Sequence, residues 1–187
     1  MSDKRKAILD SALVLFTERG FHGTPTSLIA SEAGVATGTL FHYFGTKENL
    51  IGELYLEIKR EAGKIMREGT TGKDVLSDLK LVASNYVSWG IKNPEKIKFM
   101  EQFCLSPYVP DATRGEAISN FLFLAEIFEA GIESGEIKPL PVELAIKMSA
   151  EFLNGIIAYI TGEGQGRDAE EIFDLAYPVL EDGLRTG

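Results

Sequence analysis

The sequence predicts an all-α protein, in which an N-terminal three-helix domain with a helix-turn-helix precedes a larger helical bundle. About nine helices are expected in 187 residues. Apolar residues recur at three- and four-residue steps along most of the chain, which is the period of an amphipathic helix. Glycines and prolines separate these stretches where turns are needed. No segment alternates apolar and polar residues in the way that a half-buried strand does.

Four helices are predicted in the first third of the chain, over residues 3–19, 25–33, 36–43 and 47–68. Thr24 is a favourable N-cap for the second helix, and Pro25 suits its first position, where a missing N–H costs nothing. Gly34 follows this helix at the place where a left-handed residue is needed. The second and third helices are therefore expected to be short and joined by a tight turn.

Five further helices are predicted over residues 73–92, 94–105, 112–134 and 142–161 and from residue 168 onward. The segment FLFLA (121–125) is apolar on every side of a helix and should be buried centrally. Pro178 lies inside the last helix and should kink it or shift its start. We place the domain boundary after residue 50, which gives domains of residues 1–50 and 51–187.

The third helix is the candidate for reading DNA. Its inward residues are expected to be Leu40 and Phe44. Its outward residues are then Thr37, Thr39, His42 and Tyr43. An exposed helix of small and hydrogen-bonding residues, held by a helix packed across it, is the arrangement that enters a DNA major groove.

Two stretches resemble the DNA-binding domain of TetR-family transcriptional regulators: they are ALVLFTERGFHGT (12–24) and GVATGTLFHYFGTKENL (34–50). The resemblance implies a ligand-responsive regulator, which we expect to be a repressor. It would leave a near-palindromic operator in double-stranded DNA when a small, largely apolar or aromatic molecule binds residues 51–187. The resemblance also implies that Lys47 contacts the DNA backbone. The candidate DNA-binding residues are Thr26, Ser27, Thr37, Gly38, Thr39, Phe41, His42, Tyr43 and Lys47. The alternative is a three-helix packing unit without DNA binding.

The sequence departs from the commonest pattern of that family at four positions. Ala36 stands where a capping serine is usual, and the missing cap costs ~1 kcal/mol. Thr37 occupies a position that is often basic, and Phe41 replaces a frequent tyrosine, which removes a hydroxyl group for phosphate. Gly45 loosens the joint before the fourth helix. We therefore expect DNA binding to depend strongly on dimer geometry.

The net charge of −9 is unevenly distributed. Residues 1–67 contain nine basic and eight acidic residues, whereas the remainder contains ten basic and twenty acidic residues. Because phosphate contacts supply most nucleic-acid affinity, tight and salt-sensitive binding is expected only from two copies acting together. The basic residues 4–6 fit either phosphate contact or simple solvation.

Composition excludes several classes of protein. Hydrophobic residues make up 44% of the chain and charged residues 25%, as in ordinary globular proteins. No stretch approaches the ~18 uninterrupted apolar residues of a membrane span, and the first residues lack the apolar core of a signal peptide. The single cysteine, Cys104, permits no internal disulfide and fits a reducing compartment. A cytoplasmic protein without a membrane partner is expected.

Few residues point to catalysis. Both histidines, His22 and His42, precede Leu50, so histidine-based nucleophilic catalysis and zinc sites are excluded from the remainder. No phosphate loop or dinucleotide fingerprint occurs. Acid pairs such as Glu170 and Glu171 lie at a helix start, where acids are common. We expect no enzymatic activity, metal or cofactor. An all-helical acid–base enzyme is the alternative in this class.

Large side chains are frequent in the middle of the chain, and the polar atoms of Trp and Tyr need partners when they are buried. A cavity lined by such residues suits a flat or apolar small ligand, and the resemblance implies an inducer here. The candidate ligand-binding residues are Tyr86, Trp89, Phe99, Met100, Phe103, Phe121 and Asn154. An ordinary packed core is equally consistent with the aromatic residues, and Asn154 also fits a dimer-interface amide.

The last two helices are expected to form a homodimer interface. The helix over residues 142–161 is apolar on more than one face, and Ala150, Gly155 and Ala158 would let another helix approach closely. The alternative is a monomer that hides both faces within itself. For the whole chain, the competing hypothesis is a helical sensor or scaffold that kept the fold and lost DNA binding.

Overall fold

The computed structural model describes residues 3–104, 106–162 and 166–187. Over these ranges it contains ten α-helices and no strand, with one isolated antiparallel bridge between Ile137 and Arg185. The all-α prediction is thereby confirmed. The helices are α1 (Asp3–Arg19), α2 (Thr26–Glu32), α3 (Thr37–Phe44), α4 (Lys47–Arg67), α5 (Val75–Lys92), α6 (Pro94–Phe103), α7 (Asp111–Ser119), α8 (Leu122–Glu133), α9 (Val142–Thr161) and α10 (Ala169–Leu184).

The prediction of one helix over residues 112–134 is wrong, because this segment is divided between α7 and α8. Phe121 precedes α8 with φ −120° and ψ 9°, outside the helical conformation. The adjacent Asn120 lies against Gly63, where a Cβ atom would stand only 2.6 Å from the Asn120 carbonyl oxygen. Ser and Asn favour helix ends because their side chains compete for backbone hydrogen bonds. The Ser119–Asn120 pair therefore ends α7 and lets the chain turn.

The segment FLFLA is not buried on every side, contrary to expectation. Phe123 and Leu124 are buried, whereas the side chain of Leu122 is 56% exposed. The start of a new helix at Leu122 gives this segment an ordinary amphipathic arrangement, because only one of its faces lies against the bundle.

Some details of the predicted helices differ from the structure, and others lie outside the described residues. Thr24 is not the N-cap of α2; the cap position belongs to Pro25, while the buried Thr24 hydroxyl donates to the carbonyls of Leu15 and Gly20. The last helix continues through Pro178 to Leu184, and its start stays where Asp168 caps it. The predicted helix end at residue 105 and part of the predicted loop, residues 163–165, lie outside the described residues.

The chain divides into two compact units. Unit 1 comprises Met1–Arg60 and Glu95–Ile118, and unit 2 comprises Glu61–Pro94 and Ser119–Gly187. Unit 1 thus combines the first three helices and the part of α4 up to Arg60 with nearly all of α6 and α7, although a stretch of unit 2 separates these segments in sequence. The proposed functional boundary after residue 50 stays a prediction.

Each unit has its own apolar core. In unit 1, α1, α2 and α3 pack around fully buried residues. The largest of these include Ile8, Phe16, Ile29, Leu40 and Phe99. In unit 2, α5, α8, α9 and α10 pack around a cluster of Leu79, Phe128, Ile137, Ala145 and Leu184. Such burial contributes about 1.5–3 kcal/mol for each large side chain, so each core holds its helices firmly.

Candidate nucleic-acid interface and effector region

A tight turn positions α3 on α2. Gly34 adopts φ +64°, a conformation that glycine enters without steric cost. The N–H of Val35 then donates to the carbonyl of Ala30 at 2.9 Å, and the N–H of Gly34 donates to that of Ser31. These bonds close the end of α2 in the manner of a Schellman motif. The turn therefore fixes the direction in which α3 leaves α2.

The helix α3 has one buried and one exposed side, as predicted. Leu40 is fully buried and Phe44 nearly so. Among the candidate DNA-binding residues, Gly38, Phe41, His42 and Tyr43 are exposed, and Thr37 and Thr39 are half-buried. A Cβ atom at Gly38 would meet nothing within 4 Å. The side of α3 opposite its core residues is thus open to a partner.

The start of α3 matches the expectation drawn from the sequence, and the helix ends at Phe44, one residue later than predicted. Ala36 occupies the N-cap in an extended conformation and makes no side-chain capping bond, so the weak helix start is confirmed. Gly45 ends the helix at φ +71°, with its N–H donating to the carbonyl of Phe41. Because an uncapped helix start frays more readily, the exposed surface of α3 depends on Leu40 and Phe44 to hold it in place.

Lys47 has partners inside its own unit. Its Nζ donates a hydrogen bond to the carbonyl of Phe21 and lies over the Phe21 ring, 4.1 Å from the centroid. Burial lowers the pKa of the Lys47 ammonium, and the nearby Glu48 carboxylate acts in the opposite direction. The ammonium is therefore held against the turn between α1 and α2. Its contact with DNA stays a prediction.

Other cations near α3 are also paired. Arg5 donates to Glu53 at 2.7 Å and to Glu57 at 3.1 Å, which ties α1 to α4. Lys6 pairs with Asp10 one turn along α1. A groove of about 360 Å³ beside Tyr43 is lined in part by the acids Glu48 and Glu53. These ion pairs reduce the positive charge that Arg5, which lies over the Phe44 ring of α3, offers to phosphates.

Three of the candidate ligand-binding residues lie together in unit 2. The Tyr86 hydroxyl donates to Asn154 Oδ1 at 2.8 Å, and the rings of Tyr86 and Trp89 stack with centroids 6.1 Å apart. Trp89 Nε1 donates to the Glu61 carboxylate at 2.8 Å. This polar and aromatic cluster joins the end of α4 to α5 and α9.

The other candidate ligand-binding residues occupy different surroundings. Phe99, Met100 and Phe103 are buried in unit 1, where Phe99 and Phe103 stack at 4.7 Å and Phe103 meets Phe16 at 6.1 Å. Phe121 is half-buried at the start of α8 in unit 2. In this structure, Phe103 is part of the apolar core of unit 1 and packs against Phe16 of α1. A ligand-binding role for these residues stays a prediction.

Sequence reasoning missed two contacts. Glu61 bonds to Trp89 across 28 positions, and Tyr108 bonds to His22 across 86 positions. Local patterns carry no signal for such pairs, because helical periodicity relates residues only three or four positions apart. Tyr108 is one of many large side chains in the middle of the sequence, and nothing in its local pattern links it to His22.

An apolar surface remains on the last two helices. Leu144 and Met148 on α9 are 45% and 52% exposed, and Leu175 and Val179 on α10 are 69% and 64% exposed. Each pair is spaced by four residues and so shares one face of its helix. The helix α9 is long and apolar enough to cross a membrane, judged by length and composition alone. Core helices of soluble proteins often have the same length and composition.

Comparison with known proteins gives a consistent result. The family profile described as "Bacterial regulatory proteins, tetR family" matches residues 8–54. A fatty acid metabolism regulator protein of Bacillus subtilis is 31% identical over 188 residues, covering 98% of this chain and 96% of that protein. Its 31% identity over nearly the whole chain extends the relationship well beyond the segment that the profile matches.

Two solved structures share the fold over nearly their full length. A crystal structure described as a TetR-family transcription regulator of Shewanella sp. PV-4 has a TM-score of 0.88 and 31% identity, covering 98% of this chain and 99% of that one. The crystal structure of the Bacillus subtilis regulator FadR in complex with stearoyl-CoA has a TM-score of 0.72 and 27% identity, covering 95% and 98%. The likeness therefore includes both units.

Proposed function

The chain belongs to the TetR family of transcriptional regulators, and on this premise we propose that it is a homodimeric repressor that a small molecule releases from its operator. The observation that carries DNA binding is the open side of α3, where Gly38 and polar residues are exposed while Leu40 and Phe44 anchor the helix. A helix presented in this way fits the major groove. Two subunits would read half-sites about one DNA turn (~34–36 Å) or somewhat more apart.

Each candidate DNA-binding residue has a proposed task. Thr37 and Thr39 reach base edges, and Gly38 allows the backbone to come close to the bases. The remaining residues position the DNA backbone, because hydroxyl, imidazole and ammonium groups suit phosphate oxygens. These are Thr26, Ser27, His42, Tyr43 and Lys47, with Phe41 contributing apolar contact to the sugar–phosphate surface.

Gel-shift assays with genomic fragments at low salt, followed by footprinting of the bound fragments, test the proposal directly. We expect a protected near-palindrome and binding that weakens steeply as salt rises, because phosphate contacts release counterions. The absence of any protected palindrome at low salt would rule out the proposed function.

Replacing Gly38 with alanine should separate stability from DNA binding. The added methyl group meets nothing within the protein, so α3 should gain up to about 1 kcal/mol of stability from the better helix former. At the DNA surface the same methyl group should lower operator affinity about tenfold, comparable with one lost base contact. Thermal unfolding and gel shift measure the two effects.

Gly115→Ala is the matched control, since Gly115 is an exposed helical glycine with open space around it. It should raise stability without changing operator affinity. Equal operator affinity for wild type and Gly38→Ala would show that α3 does not approach DNA at this position.

The effector is proposed to be a largely apolar or aromatic molecule that binds within residues 51–187. Support comes from the aromatic cluster around Tyr86 and Trp89, whose polar atoms bond to Asn154 and Glu61. Support also comes from the relative whose crystal structure contains stearoyl-CoA. Native mass spectrometry of the purified protein would report a dimer and any bound ligand together. A long-chain acyl thioester is the first compound to add.

Asn154→Ala tests the effector proposal. It removes the acceptor for the Tyr86 hydroxyl, so stability should fall by about 1 kcal/mol. If Asn154 also contacts the effector, the concentration needed for operator release should rise about tenfold, as expected for a lost polar contact of that size. Operator release measured by fluorescence anisotropy against added acyl thioester gives this value.

Asn85→Ala is the control for this change. Asn85 donates to the carbonyls of Met66 and Glu68, so its loss should lower stability by a similar amount and leave the effector response unchanged. If both variants shift the response equally, Asn154 acts through stability and not through ligand contact.

The paired cations around α3 favour one second candidate, a helical sensor that has lost DNA binding. Arg5 and Lys47 are both engaged inside unit 1. A Tyr43→Ala or Lys47→Ala protein that retains the full affinity of wild type for genomic DNA would favour this candidate. A clear loss of affinity in either variant would favour the repressor.

A further inference from the structure

A loop distant in sequence reaches the turn between α1 and α2. The ring of Tyr108, between α6 and α7, stacks on the ring of Phe21 with centroids 4.0 Å apart and planes 4° from parallel. The Tyr108 hydroxyl also hydrogen-bonds to Nε2 of His22, whose ring meets both other rings edge-on. Tyr108, Phe21 and His22 therefore form a three-ring cluster in unit 1.

The Phe21 ring has a second neighbour, the ammonium group of Lys47. Its Nζ lies over the ring at 4.1 Å from the centroid. Two groups that each stand about 4 Å above one ring cannot share a face, so Tyr108 covers one face and Lys47 the other. A cation over an aromatic face is attracted by the ring quadrupole. The Lys47 ammonium therefore contacts one face of the Phe21 ring, and Tyr108 stacks on the opposite face.

The loop that carries Tyr108 is held in place on both sides. Val109 is fully buried, and Arg114 Nη1 donates to the carbonyl of Ser106 at 2.8 Å. Before the loop, Gln102 Nε2 donates to the carbonyl of Thr17 in α1 at 3.3 Å. Tyr108 is therefore presented from an anchored loop, and a shift of that loop would move the Phe21 ring.

Lys47 begins α4, directly after the joint that follows α3. An ammonium group has three donors, and one of them is used by the Phe21 carbonyl. The remaining donors stay available to a phosphate oxygen at the start of the helix, where free N–H groups also favour an anion. The ammonium thus lies between the Phe21 ring and carbonyl and the more distant Phe16 ring, 5.8 Å from its centroid, with the Phe21 ring as its nearer aromatic contact.

We propose that Tyr108 is a positioning residue for operator binding, which acts through the Phe21 ring to hold the Lys47 ammonium where it meets a DNA phosphate. This proposal rests on the proposed function as a DNA-binding repressor. It adds a route by which the segment between α6 and α7 influences DNA binding without passing along α4.

The salt dependence of operator binding tests the proposal. Each phosphate contact contributes about 0.9 to the slope of log K against log salt concentration. Tyr108→Ala should therefore reduce the slope by up to about 0.9 for each bound subunit, although tyrosine carries no charge. Operator affinity at low salt should fall about tenfold, as expected for a lost charge-assisted bond. Fluorescence anisotropy with a labelled operator, at several salt concentrations, gives both values.

Three comparison variants make the result specific. Tyr108→Phe keeps the stacked ring and should retain most of the affinity and slope. Lys47→Ala should reproduce the slope of Tyr108→Ala, and combining the two changes should reduce it no further. Ile137→Val removes a buried methyl group from the core of unit 2, so it should lower the melting temperature and leave the slope unchanged.

Two outcomes overturn the proposal while the proposed function stands. One is operator binding by Tyr108→Ala with the affinity and slope of wild type. The other is a loss in Tyr108→Ala that adds fully to that of Lys47→Ala, or that Ile137→Val reproduces. Absence of operator binding by the wild-type protein would overturn the proposed function and this inference together. That result differs from the two outcomes above, in which the wild-type protein binds its operator.

Discussion

Replacing Leu175 with lysine is expected to produce a folded monomer that binds a full operator about a hundredfold more weakly than the wild-type dimer, or more weakly still. Leu175 is 69% exposed on α10, and Val179 one turn later is 64% exposed. An unpaired ammonium in the proposed apolar interface would be costly to bury. Loss of the dimer removes the gain from linking two half-site contacts, which is about 10²–10⁴ in affinity.

Analytical ultracentrifugation and gel shift would measure this result. Glu170→Lys is the control on the same helix, since Glu170 is exposed and its replacement changes the charge by a larger amount. It should leave the dimer intact. A Leu175→Lys protein that remains dimeric at micromolar concentration would exclude α10 from the interface.

Gly63→Ala should lower the free energy of unfolding by about 1–3 kcal/mol, as overpacking does. Gly63 is buried in α4, and an added Cβ atom would stand 2.6 Å from the Asn120 carbonyl oxygen and 3.1 Å from its Cβ atom. Backbone cannot swing aside as the tip of a long side chain does, so the corner between α7 and α8 must move. Urea unfolding followed by circular dichroism measures the loss.

The same substitution at Gly115 should act in the opposite direction. Gly115 lies in α7 with nothing within 4 Å of its Cβ position, so alanine should stabilise the protein by about 0.5–1 kcal/mol. A Gly63→Ala protein as stable as wild type would contradict this prediction. It would mean that the backbone at Asn120 can move away from the added methyl group without lowering the free energy of unfolding.

Local sequence signals predicted the DNA-binding helices well. Three correctly predicted features depend on neighbours within a few positions. They are the turn at Gly34, the buried side chains of Leu40 and Phe44, and the uncapped helix start at Ala36. Periodicity and capping rules act at this range. The family resemblance reinforced the same residues, because it also covers a continuous stretch of chain.

Contacts between distant residues were beyond sequence reasoning. At the break between α7 and α8, the poor helix formers Ser119 and Asn120 coincide with a close approach of Asn120 to Gly63, which local patterns do not reveal. The partner of Lys47 is likewise distant, a carbonyl of Phe21 in a separate turn. Helical periodicity over residues 112–134 continues through the break, so the pattern alone favours one helix. The candidate effector residues share large or polar side chains, and these properties do not indicate in which unit a residue lies.

The division of unit 1 into two sequence segments has a consequence for synthesis on the ribosome. Residues Met1–Arg60 emerge first, but Glu95–Ile118 complete the unit. At about 5–20 residues per second, about 3–12 s separate the synthesis of Arg60 from that of Ile118. During this interval Phe16 lacks Phe103, its later neighbour in the finished core. The nascent chain is therefore expected to expose part of the apolar side of α1 until the later segment arrives, which favours chaperone binding during this interval.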